Sequence, residues 1–160
     1  MTAPTSTSLA SIVVGFDDSP ESLHALDLAA MIGTPQSAAL AIVHVRPKPK
    51  AFGLGPAGSV EYAQALDEID TRVAVKAADR LAGYPGSWSV VIRSGNVGHE
   101  LLAVADEVNA DLVVVGHRSF GTVHDTVLGS TAASTVHHSR RSVLVAVASK
   151  AMTNAESVGI

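Results

Sequence analysis

The sequence contains no cysteine. A disulfide framework, a thiolate nucleophile and a cysteine-based metal site are therefore excluded. Aromatic residues make up only 4% of its 160 residues. Lysine and arginine total 11 and are scattered, with Arg140-Arg141 the tightest cluster. Binding to a nucleic-acid polymer needs a clustered positive face. With a formal net charge of -4, none is expected here. Apolar runs all fall short of the roughly 20 residues of a membrane span, and Met1 to Ala10 has neither the basic start nor the apolar stretch of a secretory signal. The expected location is cytoplasmic, without a membrane partner. What the chain does have is alanine and valine: 47% of it is hydrophobic. Its length suits one domain, which can bury roughly two thirds of its unfolded surface without staples. Residues 1–9 and 149–160 read as flexible tails around a domain over 10–148.

Two kinds of segment alternate. Short β-branched runs occupy Ser11–Phe16, Ala39–Val45, Trp88–Arg93, Asp111–Gly116 and Ser142–Val147. Three of them are near-continuous apolar runs, the pattern of strands buried on both faces of a parallel sheet. Helix-length segments lie between. Pro20–Gly33 opens with Ser19 as N-cap and proline at the first helical position. Ser59–Leu81 places Tyr62, Leu66, Ile69, Val73 and Ala77 at helical spacing. Asn96 caps a helix bearing Leu101, Ala105 and Val108, and Ser130–Ser139 forms a short fourth helix. The order predicts a single doubly wound α/β domain: a five-stranded parallel sheet, right-handed crossovers and about four flanking helices. Arg46 to Gly58, rich in proline and glycine, reads as a long loop, either a surface excursion or a lid.

In such sheets ligands bind past the carboxyl ends of the strands. The stretch from Gly116 to Thr131 follows the fourth strand. Gly116, lacking a Cβ, lets backbone approach a ligand. Gly129-Ser130-Thr131 opens a helix whose first N–H groups have no internal partner and carry the positive end of the dipole. A phosphate there gains N–H bonds, with the Ser130 and Thr131 hydroxyls as further donors; an ordinary N-cap and turn is the bland reading. Asp17 follows the first strand at the same edge, where a carboxylate can accept from ribose hydroxyls or hold magnesium. Asp18 and Ser19 cover the helix-start role, leaving Asp17 the freer acid.

These residues resemble the universal stress proteins over about residues 11–148. Val13-Val14-Gly15-Phe16-Asp17-Asp18-Ser19-Pro20-Glu21-Ser22 is similar to the family's first strand and Asp-x-Ser turn, and Asp111–Gly116 to its fourth strand. ATP-binding members carry Gly, two residues, Gly, nine residues, then Gly-Ser or Gly-Thr. Here Gly116, Ser119 and Gly129-Ser130 stand at those positions, and Ser119 is the departure. If that position needs a positive φ, serine costs on the order of 1 kcal/mol; if it needs only a small side chain, serine can donate instead. The resemblance implies an adenine nucleotide alpha hydrolase-like fold and binding of ATP or another adenine nucleotide, with or without magnesium. Gly15, Phe16, Val45 and Val115 would line the base pocket, and Asp17 would face ribose or adenine. Gly116, Ser119, Gly129, Ser130 and Thr131 would cradle ribose and phosphates. It also implies a homodimer, commonly through the last strand, Ser142–Val147.

Other candidates are weaker. His137 and His138 are adjacent, so they diverge on a helix and do not chelate one ion. His44 reads as a core or sheet-end residue. His124-Asp125 could supply a base but has no nucleophile beside it in sequence. Arg118 could reach a phosphate, although a surface arginine reads equally well, and Arg140-Arg141 complements a helix dipole. No P-loop is present, and no Gly-x-Gly-x-x-Gly fingerprint follows the first strand. The expectation is therefore a nucleotide-binding stress or signalling module without a catalytic residue. The alternatives are a ligand-free interaction dimer, which Ser119 favours, and a slow hydrolase using His124 and Asp125.

Overall fold

The computed structural model describes residues 8–48, 55–118 and 128–148. Strands β1 (Ser11–Gly15), β2 (Ala39–Arg46), β3 (Trp88–Ser94), β4 (Leu112–Arg118) and β5 (Ser142–Ala148) alternate with helices α1 (Pro20–Gly33), α2 (Pro56–Arg80), α3 (Val97–Glu107) and α4 (Ser130–His138). The strands pair in parallel in the order β3-β2-β1-β4-β5. The expected alternation and sheet are thus present, with adjusted ends.

Local signals account for most of these boundaries. The Ser19 hydroxyl accepts the Ser22 N–H (3.3 Å) ahead of Pro20 and starts α1. The Asn96 side chain accepts the His99 N–H (3.0 Å) and starts α3. The loop expected over 46–58 is shorter than its proline and glycine content suggests. β2 runs on through Arg46 because Arg46 pairs with Ser94 of β3. α2 starts at Pro56, three residues before Ser59, because a proline at the first helical position loses no hydrogen bond there. Residues 1–7, 49–54 and 149–160 lie outside the described residues, whereas Ser8 and Leu9 of the expected tail are described. Val108 ends α3 as its C-cap and is 40% exposed, so it is not a core residue.

Side-chain parity divides the strands between two cores. Ile12 and Val14 of β1 and Val114 of β4 pack against Leu23, Leu26 and Ala29 of α1, Val73 and Ala77 of α2 and its C-cap Leu81. Val13, Val43, Val113 and Val115 face the other way, onto Leu101, Val104 and Ala105 of α3 and Ala132 of α4. Each fully buried leucine, isoleucine or valine contributes roughly 1.5–3 kcal/mol, so both helical layers are held on the sheet by its middle strands. β3 is an edge strand, and its Trp88 and Ile92 stay partly exposed. Among the described residues no helix is long and apolar enough to cross a membrane.

Candidate functional site

From β1 the chain builds the sheet in one direction through β2 and β3, then places β4 on the opposite side of β1. That reversal leaves a crevice past the carboxyl ends of β1 and β4. A cavity of about 460 Å³ opens there, inside the range of roughly 300–1,000 Å³ typical of small-ligand sites. Gly15, Phe16, Asp17, Val45, Val115, Gly116, Gly129, Ser130 and Thr131 all line it. Ser119, Gly121, His124 and Asp125 lie outside the described residues.

The lining also includes residues that sequence patterning did not single out. Val43 of β2 and Val97 and Leu101 of α3 extend the apolar wall, while Ser19, Glu21, Ser22 and His117 add polar groups. His117 is buried, 5% exposed, and its Nδ1 accepts the Gly129 N–H at 3.2 Å. An accepting Nδ1 leaves the ring hydrogen on Nε2. The signal for His117 was strand parity: it shares a face with Val113 and Val115.

α4 opens directly on this cavity. Ser19 and Asn96 cap α1 and α3 through their side chains, whereas Gly129 offers α4 none. The N–H groups of the first turn, from Ser130 to Ala132, have no intrahelical acceptor and add a positive partial charge. Gly129's own N–H is engaged by His117.

Gly116 lines the cavity, but its glycine answers a different need from the one expected. β4 does not end at Gly116; it continues to Arg118. A Cβ on Gly116 would lie 2.5 Å from the Glu21 carbonyl oxygen and 2.6 Å from its carbon. The missing side chain makes room for the first turn of α1, not for a ligand.

The two acids after β1 also exchange the roles expected of them. Asp18, with φ of 65°, reaches α2, where its carboxylate meets Arg72 (3.2 Å) and Lys76 (3.9 Å). Asp17 is the acid tied to the helix start: its Oδ1 accepts from the Ser19 N–H (3.1 Å) and hydroxyl (2.5 Å). Burial pushes the Asp17 carboxyl up, but hydrogen bonds from Ser19 and Ser22, with His44 beside it, outweigh that and hold it below its ordinary value of 3.8. A lowered carboxyl stabilises the fold above its unfolded value and loses that contribution as pH falls through the folded one. Asp17→Asn is therefore expected to lower the urea midpoint at neutral pH, with the gap to wild type closing as pH falls below 3.8 and through the lowered folded value. A gap of constant size across that range would show that the charge is not what matters.

Under the same turn lies His44, buried on the α2 side of β2. Its Nδ1 donates to the Phe16 carbonyl (3.0 Å), since a carbonyl only accepts. Its Nε2 faces Asp70 Oδ1 at 3.8 Å, an oxygen with no hydrogen-bond partner among the described residues. Arg46 holds the other oxygen of Asp70 through Nε (2.9 Å) and Nη2, and reaches Asp67 at 3.0 Å. The Asp70 hydrogen bond raises the Arg46 guanidinium above its ordinary value despite partial burial. α2 thus reaches the turn after β1 directly at Asp18, and His44 of β2, beside Asp70, holds the Phe16 carbonyl.

Elsewhere, Arg141 complements α3 rather than α4, donating to the Ala110 carbonyl (2.6 Å) and to Asp106 (3.1 and 3.2 Å). Among the described residues no three His, Asp or Glu side chains converge as a metal group.

This arrangement of sheet, cavity and open helix start has relatives. The model of the universal stress protein family matches residues 9–147. The chain belongs to that family. Universal stress protein A homolog 1 of Coxiella burnetii is 32% identical over 130 residues, covering 79% of this chain and 88% of its own. A universal stress protein solved in complex with cAMP superposes with a TM-score of 0.59 at 27% identity, covering 87% of this chain and 97% of its own. An Arabidopsis thaliana family protein with AMP bound gives 0.65 at 16% identity, covering 89% and 94%, a likeness of fold. The neighbours share the adenine nucleotide alpha hydrolase-like fold expected for this universal stress protein.

Proposed function

We propose that this universal stress protein binds an adenine nucleotide in the cavity past β1 and β4 and acts as a stress-response or signalling module. The observation that carries this reading is the start of α4: a first turn without a side-chain cap, opening on a cavity whose other wall is apolar. The base would lie against Gly15, Phe16, Val45, Val115 and Leu101. The ribose would meet Asp17, and a phosphate the Ser130–Ala132 turn with its hydroxyls. The cAMP and AMP complexes of the two structural relatives support the same class of ligand. ATP and magnesium are the wider form of the proposal, with Asp17 the acid to hold the ion. We propose binding without turnover as the activity.

Pairing of two copies through β5 belongs to the same reading. Among the described residues β5 has β4 on one side only, and Val147 is 52% exposed, so the strand offers an apolar edge for pairing. Native mass spectrometry of freshly purified protein tests both parts: the expected species is a dimer retaining an adenine nucleotide. Absence of heat with every adenine nucleotide at millimolar concentration would sink the ligand and favour the interaction dimer to which Ser119 points. Thr131→Val separates the two readings further. Losing a hydroxyl that bonds a charged group is worth about 1.5–3 kcal/mol, so calorimetry should show at least a tenfold weaker complex with the thermal midpoint unmoved. An unchanged affinity would remove Thr131 from the site.

A further inference from the structure

We infer that His117 is a phosphate contact of the ligand site: its Nε2–H donates to a phosphate oxygen that the first turn of α4 also binds. The inference rests on the proposed nucleotide site and adds a side-chain donor to it.

The fold brings this side chain to the crevice. β4 pairs with β1 only as far as Val114, whereas β5 follows β4 to Arg118. His117 therefore stands beyond the paired part of β1, with Val147 beside it on β5. Strand parity turns it with Val113 and Val115, toward α3 and α4. The residue is 5% exposed and lines the cavity. Its Nδ1 accepts the Gly129 N–H at 3.2 Å. That bond holds the ring against the start of α4. It also settles the tautomer, because a ring nitrogen that accepts carries no hydrogen, and Nε2 is left as a donor.

Among the described residues none accepts the Nε2 hydrogen. The carboxylates lining the cavity, Asp17 and Glu21, are engaged elsewhere. The fully buried side-chain atoms without a partner are Asp70 Oδ1 and Arg93 Nε. His117 Nε2 is not one of them, so it reaches the open space of the cavity. A donor in so enclosed a place, without a protein acceptor, calls for one from outside. Nδ1 and Nε2 flank one ring carbon, and Nδ1 is already on Gly129. Nε2–H therefore lies close to the turn that Gly129 opens, whose Ser130, Thr131 and Ala132 N–H groups have no intrahelical acceptor. Donors converging from a helix start and a ring suit a group with several acceptor oxygens, as a phosphate has. The ring cannot swing away without losing Gly129, so this donor is in place before the ligand arrives.

The test joins imidazole nitrogen NMR to calorimetry on the full chain. In the ligand-free protein, the ring signals that vanish in His117→Asn should show the hydrogen on Nε2. A hydrogen on Nδ1 would overturn the inference before any ligand is added. Inorganic phosphate should then shift the Nε2 signal, and an unmoved signal would overturn it too. In calorimetry, wild type should bind AMP more tightly than adenosine. His117→Asn keeps an acceptor near the place of Nδ1 but drops the Nε2 donor, so AMP should weaken about tenfold with adenosine unchanged. His117→Gln puts its amide nitrogen near the place of Nε2 and should restore most of that loss. Equal weakening of AMP and adenosine in His117→Asn, or no weakening, would contradict the contact. A larger loss in His117→Gln than in His117→Asn would also contradict it, leaving His117 only as the support of Gly129. If wild type binds neither AMP nor adenosine while phosphate still shifts Nε2, the nucleotide reading fails and the phosphate contact stands.

Discussion

Replacing Gly116 with alanine is expected to destabilise the protein by about 3 kcal/mol, the upper end of what an extra methyl costs in a close-packed layer. For a domain of this size that is a fall of about 10 °C in Tm. The reason is what the new Cβ would strike. It would sit 2.5 Å and 2.6 Å from the carbonyl oxygen and carbon of Glu21. A flexible side chain could rotate away; this is backbone in the first turn of α1. That turn is itself fixed by Pro20, by the Ser19 cap and by Asp17 Oδ1 on Ser19. Relief therefore means lifting α1 from β4 and parting Leu23 and Leu26 from Val114 in the same core. Gly83→Ala is the control, because no atom lies within 4 Å of the added carbon. Equal denaturation midpoints for Gly116→Ala and wild type would contradict the close approach of α1 to β4.

The same glycine shows where reading the sequence reached and where it stopped. The alternation of β-branched runs with capped, periodic segments was enough to set out five strands in a parallel sheet and four helices, though not the order of the strands. The signals involved are local: Ser19 and Asn96 beside their own helices, and the Tyr62–Ala77 stripe along α2. The site was legible as a neighbourhood, because strand ends converge at the point where the sheet reverses. What each residue does there was not legible in the same way. Gly116 follows Val115, and alternation along β4 turns it toward α1 while His117 turns toward α3 and α4; counting parity would have separated them. Asp17 and Asp18 are chemically alike, and their roles depend on where Arg72 and Lys76 stand, more than fifty residues on. Leu101 was visible as an apolar position on α3. Its place in the cavity wall depends on how α3 crosses the ends of β1 and β2, which no local pattern encodes.

Leu101 is where fold and candidate site are most tightly joined, and Leu101→Ala is expected to damage both. The side chain is fully buried in the core under α3 and also lines the cavity. A Cβ placed on Gly15 would lie 3.2 Å from its Cδ1, so Leu101 packs directly on the end of β1. Truncation removes buried methyl groups and leaves a void that rigid strands cannot collapse to fill, at about 3 kcal/mol. It also takes away part of the wall on which the base would rest, so adenine nucleotide affinity should fall about tenfold, equivalent to about 1.4 kcal/mol. Leu26→Ala separates the two effects. Leu26 is equally buried, but in the opposite core and away from the cavity lining. It should lose similar stability in urea yet bind nucleotide normally below its transition. If both variants bind alike, loss of affinity would follow from general loosening, and Leu101 would be only a core residue. If Leu101→Ala alone weakens binding, the apolar wall is part of the site. The side chain holding α3 to the sheet would then also shape the face that meets the base.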